Sequence, residues 1–217
     1  VPFEGFYYSV FPLGAVVSMI PAAILKNIGI ISESPGSVIA SVHAAVICFL
    51  LLKIASRYDV SIARQAALTV SIIFGTFMWT NLTFAGAWQL ALGFAMVGQL
   101  GAIYFTVYDR RPLLAGLFFA LAFGNRTENL LTAPIFFYLL SRDVSGQYAS
   151  ADKDIDRSTK SADEKSGTGI LSARWRRFAL FCVVPFVLGT ATLVYNYVRF
   201  HSFIDFGYAR IPGVLQE

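Results

Sequence analysis

The stretch Tyr195–Tyr208 combines residue types that could bind a sugar phosphate. It places aromatic rings around an arginine, a histidine and an aspartate. Aromatic rings offer apolar faces on which a sugar can stack, and a guanidinium offers a planar fork that matches phosphate oxygens. The candidate binding residues in this stretch are Asn196, Arg199, His201, Asp205 and Tyr208.

Two further segments contribute candidates of the same chemistry. Arg126 and Glu128 interrupt an otherwise apolar run, and Tyr8 lies in the aromatic segment Gly5–Ser9. A tyrosine hydroxyl can hydrogen-bond a phosphate oxygen, while an arginine can hold its charge. These residue types make Tyr8, Arg126 and Glu128 further candidates for a sugar-phosphate site.

Structural interpretations of the same residues stay open. Tyr and Trp collect at the membrane interface in many polytopic proteins. Arg126 and Glu128 could pair with each other as a purely structural contact. His201 could be a loop hydrogen-bonder, and Phe206–Tyr208 could be a turn.

Composition excludes several functional classes. Charged residues make up 14% of the 217 residues, against about 25% in soluble domains. Of these charges, 8 basic and 6 acidic residues fall between Arg142 and Arg177. This distribution excludes an ordinary soluble domain and a nucleic-acid binder with a basic face. Cys48 and Cys182 lie in apolar runs and suggest neither a disulfide framework nor a metal site. The sequence contains no metal-ligand cluster, and we expect no cofactor.

Several apolar runs are long enough to cross a bilayer, which takes about 20 residues. The hydropathy pattern predicts spans at Val38–Ile54, Ala66–Leu82, Trp88–Val107 and Phe178–Val198. The run Leu113–Leu140 is interrupted at Gly124–Glu128, and burying Arg126 and Glu128 in a single span would be costly. We therefore predict a hairpin of two short helices there.

The segment Pro12–Ile31 is a poor candidate for a straight span. It is apolar but contains Pro12, Pro21 and Lys26. Prolines disturb a helix, and a lysine is costly in hydrocarbon. An interfacial or re-entrant helix fits this pattern better.

Basic residues indicate the orientation of the chain. If residues 38–54 run from outside to inside, 13 Lys and Arg fall inside and 4 fall outside, as the positive-inside rule requires. The four outer ones are Lys26, Arg126, Arg199 and Arg210. The candidate residues between 126 and 208 then lie on the outer side. Tyr8 lies there as well if residues 12–31 rest on the membrane surface, and inside if they span the membrane.

The sequence predicts an all-α polytopic transmembrane protein with about six membrane helices and an outer juxtamembrane helix. Its regions are a juxtamembrane segment (1–34), a helical core (38–141), a disordered cytoplasmic loop (143–175), a transmembrane helix (178–198) and an outer loop (199–217). The polar composition of the cytoplasmic loop is typical of disorder. Both ends of the chain have loop-like sequences, so we expect it to be part of a longer membrane protein.

Four segments together resemble bacterial membrane glycosyltransferases of the GT-C type. Residues 195–208 look like the "YNxxRFGSPxxFGY" segment of the protein mannosyltransferase and aminoarabinose transferase group, and residues 5–14 resemble its "GxYYSxYPPG" segment. Residues 75–79 are similar to a "GTxxW" helix end, and residues 115–128 to an "AGLxxGLAxxxRxE" hairpin. Their order and spacing match over nearly the whole chain.

The resemblance implies a GT-C-like fold and transfer of a sugar from a polyprenyl-phosphate donor to a glycan, lipid or protein acceptor. It places the reaction at the outer face of a membrane, which we expect to be the bacterial inner membrane. The family's general base is a carboxylate upstream of the "YYS" segment, so no catalytic residue is expected within this chain. By motif position and predicted sidedness, the resemblance implies that Tyr8 binds the donor phosphate and that Arg126 and Arg199 hold its charge. The residues implied to shape the sugar or acceptor pocket are Glu128, Asn196, His201, Asp205 and Tyr208. The runner-up interpretation is a non-catalytic membrane subunit or a divergent inactive relative, and a transporter or flippase is third.

Overall fold

The computed structural model of this chain describes residues 2–3, 5–7, 13–33, 36–76, 78–141, 167–205 and 207. Within these residues the chain is helical apart from one strand pair, as the all-α prediction requires. The strands are β1 (Pro2–Phe3) and β2 (Phe6–Tyr7), which pair antiparallel. The helices are α1 (Leu13–Asn27), α2 (Gly36–Ala55), α3 (Ile62–Phe74), α4 (Met78–Phe84), α5 (Ala87–Val107), α6 (Pro112–Asn125), a 3₁₀ helix (Thr127–Thr132), α7 (Ala133–Ser141) and α8 (Gly167–Phe200).

In the described part of the chain, three helical segments are long and apolar enough to cross a bilayer. They are Gly36–Ala55, Ala87–Val107 and Arg174–Phe200. Each one overlaps a predicted span and confirms a long apolar helix there. The three helices are consistent with a membrane protein, while the count of about six spans stays a prediction.

Helix α8 begins earlier than the sequence predicted. It starts at Gly167, inside the region 143–175 that we predicted to be disordered. Leu171, Ala173 and Arg174 favour helix, and adding residues to an existing helix costs far less than nucleating one. The long apolar helix therefore extends backwards into the polar segment. The rest of the predicted loop, up to residue 166, lies outside the described residues.

The predicted span Ala66–Leu82 is wrong, because the chain breaks into α3 and α4. Helix α3 has 13 residues, a length of about 20 Å, which is short of the roughly 30 Å of hydrocarbon. The Thr76 hydroxyl donates to the Ile72 carbonyl at 2.6 Å and accepts from the Met78 N–H at 3.2 Å. One side chain thus caps both helix ends, which a hydropathy pattern cannot reveal.

The predicted hairpin is confirmed. Helix α6 ends at Asn125, and Arg126 adopts an extended conformation (φ −145°, ψ 101°) before the 3₁₀ helix. Helix α7 then returns towards the start of α6. The Arg110 Nη1 donates to the Leu139 carbonyl at 3.4 Å. The Phe119 and Phe136 rings pack at 5.2 Å between centroids.

Helix α5 packs at the centre of the bundle, between α2 and α6, and α8 packs against α6. Close packing depends on glycine where helices cross. A Cβ atom on Gly98 would lie 2.5 Å from the Ala122 nitrogen. On the α8 side, Phe181 packs with Phe119 and Phe136 at centroid distances of 5.4 and 5.9 Å. This aromatic cluster joins α6, α7 and the first half of α8.

The loops after α2 and after α5 meet at one end of the bundle, which we call the basic end. The Tyr58 and Tyr108 hydroxyls are 2.8 Å apart, and the Arg57 Nη2 donates to the Tyr104 hydroxyl at 3.2 Å. The sequence had placed the basic residues of both loops on one side. The contacts agree with that grouping. The turn at Arg126 lies at the opposite end of α6.

Helix α1 has 15 residues, a rise of about 22 Å. Its Met19 packs beside Ala40 and Leu90, near the starts of α2 and α5. Ile20 and Ile24 on another face are 49% and 56% exposed. Because these isoleucines are four residues apart, they form one apolar stripe. A short helix with this exposed stripe fits the interfacial prediction for residues 12–31.

Candidate functional site

Arg126 lies where the hairpin turns, and its position follows from the end of α6. The Arg126 N–H still donates to the Ala122 carbonyl at 3.0 Å, but its extended backbone turns the chain away from the helix. Its guanidinium carbon lies 4.6 Å from the centre of the Trp88 ring, in the first turn of α5. Such a cation–π contact holds a charge in place without neutralising it.

Glu128 lies in the first turn of the 3₁₀ helix and is exposed. No ion pair joins it to Arg126 among the described residues. The alternative interpretation, in which Arg126 and Glu128 pair with each other, is therefore not seen in the structure. Arg126 instead bonds through its carbonyl, which accepts from the Asn129 N–H at 3.0 Å. The Glu128 side chain is exposed to solvent.

Asn196 and His201 lie where the end of α8 meets the following loop. Asn196 is 2% exposed, and its Nδ2 donates to the Phe203 carbonyl at 3.4 Å. The Phe203 ring stacks on Tyr197 at 4.7 Å. His201 has a φ of 54° and donates its N–H to the Tyr197 carbonyl at 2.8 Å. The left-handed residue ends the helix and turns the loop back onto its last turn.

Arg199 is buried at the same helix end. It is 9% exposed, and its guanidinium carbon lies 4.7 Å from the Tyr195 ring centre and 4.6 Å from the Phe200 ring centre. Burial of a charge is costly unless the surroundings compensate it. The two aromatic rings supply part of that compensation. Arg126 and Arg199 thus share the same kind of surroundings.

Asp205 makes a local contact. Its Oδ1 accepts from the Gly207 N–H at 2.7 Å, and Gly207 has a φ of 79°. This is the geometry of an Asx turn, with glycine at the left-handed position. The structure therefore gives Asp205 a turn-forming role and does not by itself place it in a ligand pocket.

The predicted site residues fall into two groups. Arg126 and Glu128 lie at the hairpin turn, and the other group, Asn196, Arg199, His201 and Asp205, lies at the end of α8. No hydrogen bond or ring contact between described residues joins the two groups. Tyr8 and Tyr208 lie outside the described residues. Within the described part of the chain, no cluster of three or more His, Cys, Asp or Glu side chains forms a metal site.

The aromatic partners of the two arginines, Trp88 and Tyr195, are not among the residues predicted from the sequence. Tyr195 lies four residues before Arg199 on one helix face, and that spacing could have indicated the contact. Trp88 is the first residue of the predicted span 88–107. Its contact with Arg126 depends on how α5 packs against α6, which no local pattern reveals.

Comparison with models of known protein families gave no match for this chain. The curated proteins and the solved structures likewise contain no significant match.

Proposed function

We propose that this chain is part of an integral-membrane glycosyltransferase that moves a sugar from a polyprenyl-phosphate donor to an acceptor. The proposal rests on the resemblance of four ordered segments to GT-C enzymes. The acceptor is a glycan, a lipid or a protein, and the reaction takes place on the outer face of a bacterial inner membrane. The alternatives of a non-catalytic subunit and of a transporter are outcomes of the test below.

One structural observation supports the proposal more than any other. Arg126 and Arg199 each lie against aromatic rings, and Arg126 is at the end of α6 opposite the basic end. An arginine in such surroundings keeps its charge and its planar fork. It suits a substrate with a phosphate oxyanion attached to an apolar chain. A polyprenyl phosphate has both features.

The proposed chemistry assigns these residues to the leaving group. The acceptor oxygen attacks the anomeric carbon of the sugar, and the bond from that carbon to the phosphate oxygen breaks. A carboxylate takes the acceptor proton as general base, and we expect that carboxylate from outside this chain. The polyprenyl phosphate leaves with its additional negative charge, which the two arginines stabilise.

The test is a transfer assay with the full-length protein in lipid nanodiscs. The donors are polyprenyl phosphates carrying radiolabelled hexoses or pentoses, and the acceptors are extracted envelope glycans, lipids and proteins. We expect release of polyprenyl phosphate together with a labelled acceptor. Binding of a donor without turnover would instead indicate a non-catalytic subunit. Movement of intact donor between leaflets would indicate a flippase.

The arginine assignment has a matched control at the other end of the molecule. Arg64 is an exposed arginine in α3, beyond the loop of the basic end. Arg126→Ala is expected to reduce transfer about 100-fold or more, as removal of one oxyanion-stabilising group does. Arg64→Ala is expected to leave it unchanged. Equal effects of the two variants would contradict the assignment of Arg126 to the phosphate.

A further inference from the structure

A polar network at the hairpin turn connects α5 with the last turn of α6. The Gln99 Nε2 donates to the Thr132 hydroxyl at 3.3 Å, and that hydroxyl donates to the Asn129 carbonyl at 2.7 Å. The Asn129 Nδ2 in turn donates to the Ala122 carbonyl at 3.3 Å. We call these side chains, together with Asn125 at the end of α6 and Arg126 directly after it, the hairpin-turn network.

Three buried atoms of this network have no hydrogen-bond partner among the described residues. They are the Gln99 Oε1, the Asn125 Oδ1 and the Arg126 Nε. Asn125 is 5% exposed, and its Nδ2 already donates to the Leu121 carbonyl at 2.9 Å. A buried polar atom without a partner costs about 1–3 kcal/mol. Three such atoms lie on or beside one turn, and a ligand that bonded to them would recover this cost.

The three atoms without a hydrogen-bond partner define the chemistry of a ligand that could bind them. Two amide oxygens require hydrogen-bond donors, and the Arg126 Nε requires an acceptor. A cation would be repelled by the guanidinium, and a group without an N–H or O–H would leave the two amide oxygens without a donor. A hydroxyl group both donates and accepts. The network therefore fits a neutral group that carries hydroxyls.

The network also has a partly exposed side through which a ligand can approach. Trp88, stacked against Arg126, is 44% exposed, and Glu128 beside the turn is exposed. Asn125 lies at the buried side of the same turn.

We propose that the hairpin-turn network binds hydroxyl groups of a neutral sugar, with Asn125 and Gln99 as specificity-determining residues. The proposal rests on the proposed function and deepens it. It places the sugar of the donor beside Arg126, which holds the phosphate. It also predicts that the transferred sugar is neutral, because the guanidinium of Arg126 repels an amino sugar and is already paired with the phosphate when an acidic sugar binds, while the amides carry no charge.

The experiment measures binding of two kinds of probe to the full-length protein in nanodiscs. One probe is bare polyprenyl phosphate, and the others carry a neutral hexose or pentose, an amino sugar or a uronic acid. In the wild type, at least one neutral sugar is expected to tighten binding relative to the bare lipid about tenfold or more. One well-placed hydrogen bond accounts for about tenfold.

Asn125→Leu separates a binding role from a structural one. Leucine has a similar shape and removes an unsatisfied amide, so the Tm is expected to stay the same or rise. The gain in affinity from the sugar is expected to disappear, while bare polyprenyl phosphate binds as before. Gln99→Leu is the second variant. Its matched control is Gln65→Leu, which removes an amide bonded in the same way, through Nε2 to the Val60 carbonyl at 3.0 Å.

Other results would contradict either this inference or the proposed function. If the sugar gain persists in Asn125→Leu and Gln99→Leu, the network holds only water or serves packing, and the inference is overturned. It is also overturned if only charged sugars tighten binding, or if Gln65→Leu abolishes the gain equally. Failure of the wild type to bind any polyprenyl phosphate would instead overturn the proposed function.

Discussion

Arg199 combines burial with charge more completely than the other candidate residues. Its guanidinium lies between two aromatic rings with 9% of the residue exposed, so water screens its charge weakly. Under the proposed function, Arg199→Ala is expected to lower sugar transfer at least 100-fold. Arg199→Lys keeps the charge but loses the planar fork, so an intermediate rate is expected. Transfer assays measure both rates.

The matched control for Arg199 is its neighbour Val198, which is 69% exposed. Val198→Ala is expected to leave transfer unchanged, and all three variants are expected to insert into the membrane in normal amounts. Normal turnover in Arg199→Ala would remove this arginine from the site.

At the residue scale, the sequence predicts candidate residues but not their contacts. The motif in residues 195–208 predicts Asn196 and Arg199, and both are buried at one helix end. The same motif predicts Asp205, yet its carboxylate accepts a hydrogen bond from the backbone N–H two residues on. No pattern in the sequence points to Asn125, because the lack of a partner for its Oδ1 is visible only once the packing is known.

At the scale of elements, the crossing of α5 and α6 depends on one small residue. A Cβ atom on Gly98 would lie 2.5 Å from the Ala122 nitrogen and 2.7 Å from the Phe118 carbonyl oxygen. Both are backbone atoms, so the helices must move apart. Gly98→Ala is expected to lower stability by about 1–3 kcal/mol, as overpacking does. Unfolding in a detergent titration measures this loss.

The control for this prediction is Gly189 in α8, around which a Cβ atom would have no neighbour within 4 Å. Gly189→Ala is expected to leave stability unchanged or to raise it by up to about 1 kcal/mol through helix propensity. If both alanine variants lose the same stability, the close approach of α5 and α6 is not what Gly98 provides.

The helices predicted from the sequence are correct where hydropathy alone determines the helix. Helices α2 and α5 are long uninterrupted apolar runs, and their ends lie within a few residues of the predicted positions. It failed at residues 66–82, where a hydroxyl satisfies the backbone groups freed by a helix break. That compensation depends on a rotamer of Thr76 rather than on hydropathy.

At the scale of the whole molecule, the loop contacts and the distribution of basic residues indicate the same orientation of the helix bundle in a membrane. The loops joined by Tyr58 and Tyr108 carry Arg57, Arg110 and Arg111 at one end. The turn at Arg126 lies at the opposite end of α6. Positive charge concentrates on the cytoplasmic side of membrane proteins. The basic end is therefore expected to be inside, with the two candidate groups outside.

Single cysteines introduced at serines test this orientation in intact cells, after Cys48 and Cys182 are replaced by alanine. A membrane-impermeant maleimide is expected to label Ser202→Cys, beyond the end of α8, and Ser32→Cys, between α1 and α2. Ser56→Cys, in the loop of the basic end, is expected to react only after the cells are opened. Labelling of Ser56→Cys in intact cells would invert the topology and move the arginines away from an outer donor.

The same reagent tests whether α1 lies on the membrane surface. Ser9 precedes α1 and Ser32 follows it, so the two positions are on one side if α1 is interfacial and on opposite sides if it spans. Because α1 rises only about 22 Å and exposes the stripe of Ile20 and Ile24, Ser9→Cys is expected to label together with Ser32→Cys. Protection of Ser9→Cys alone would make α1 a span and place the segment of Tyr8 inside, apart from Arg199. Tyr8 could then no longer share a phosphate with that arginine.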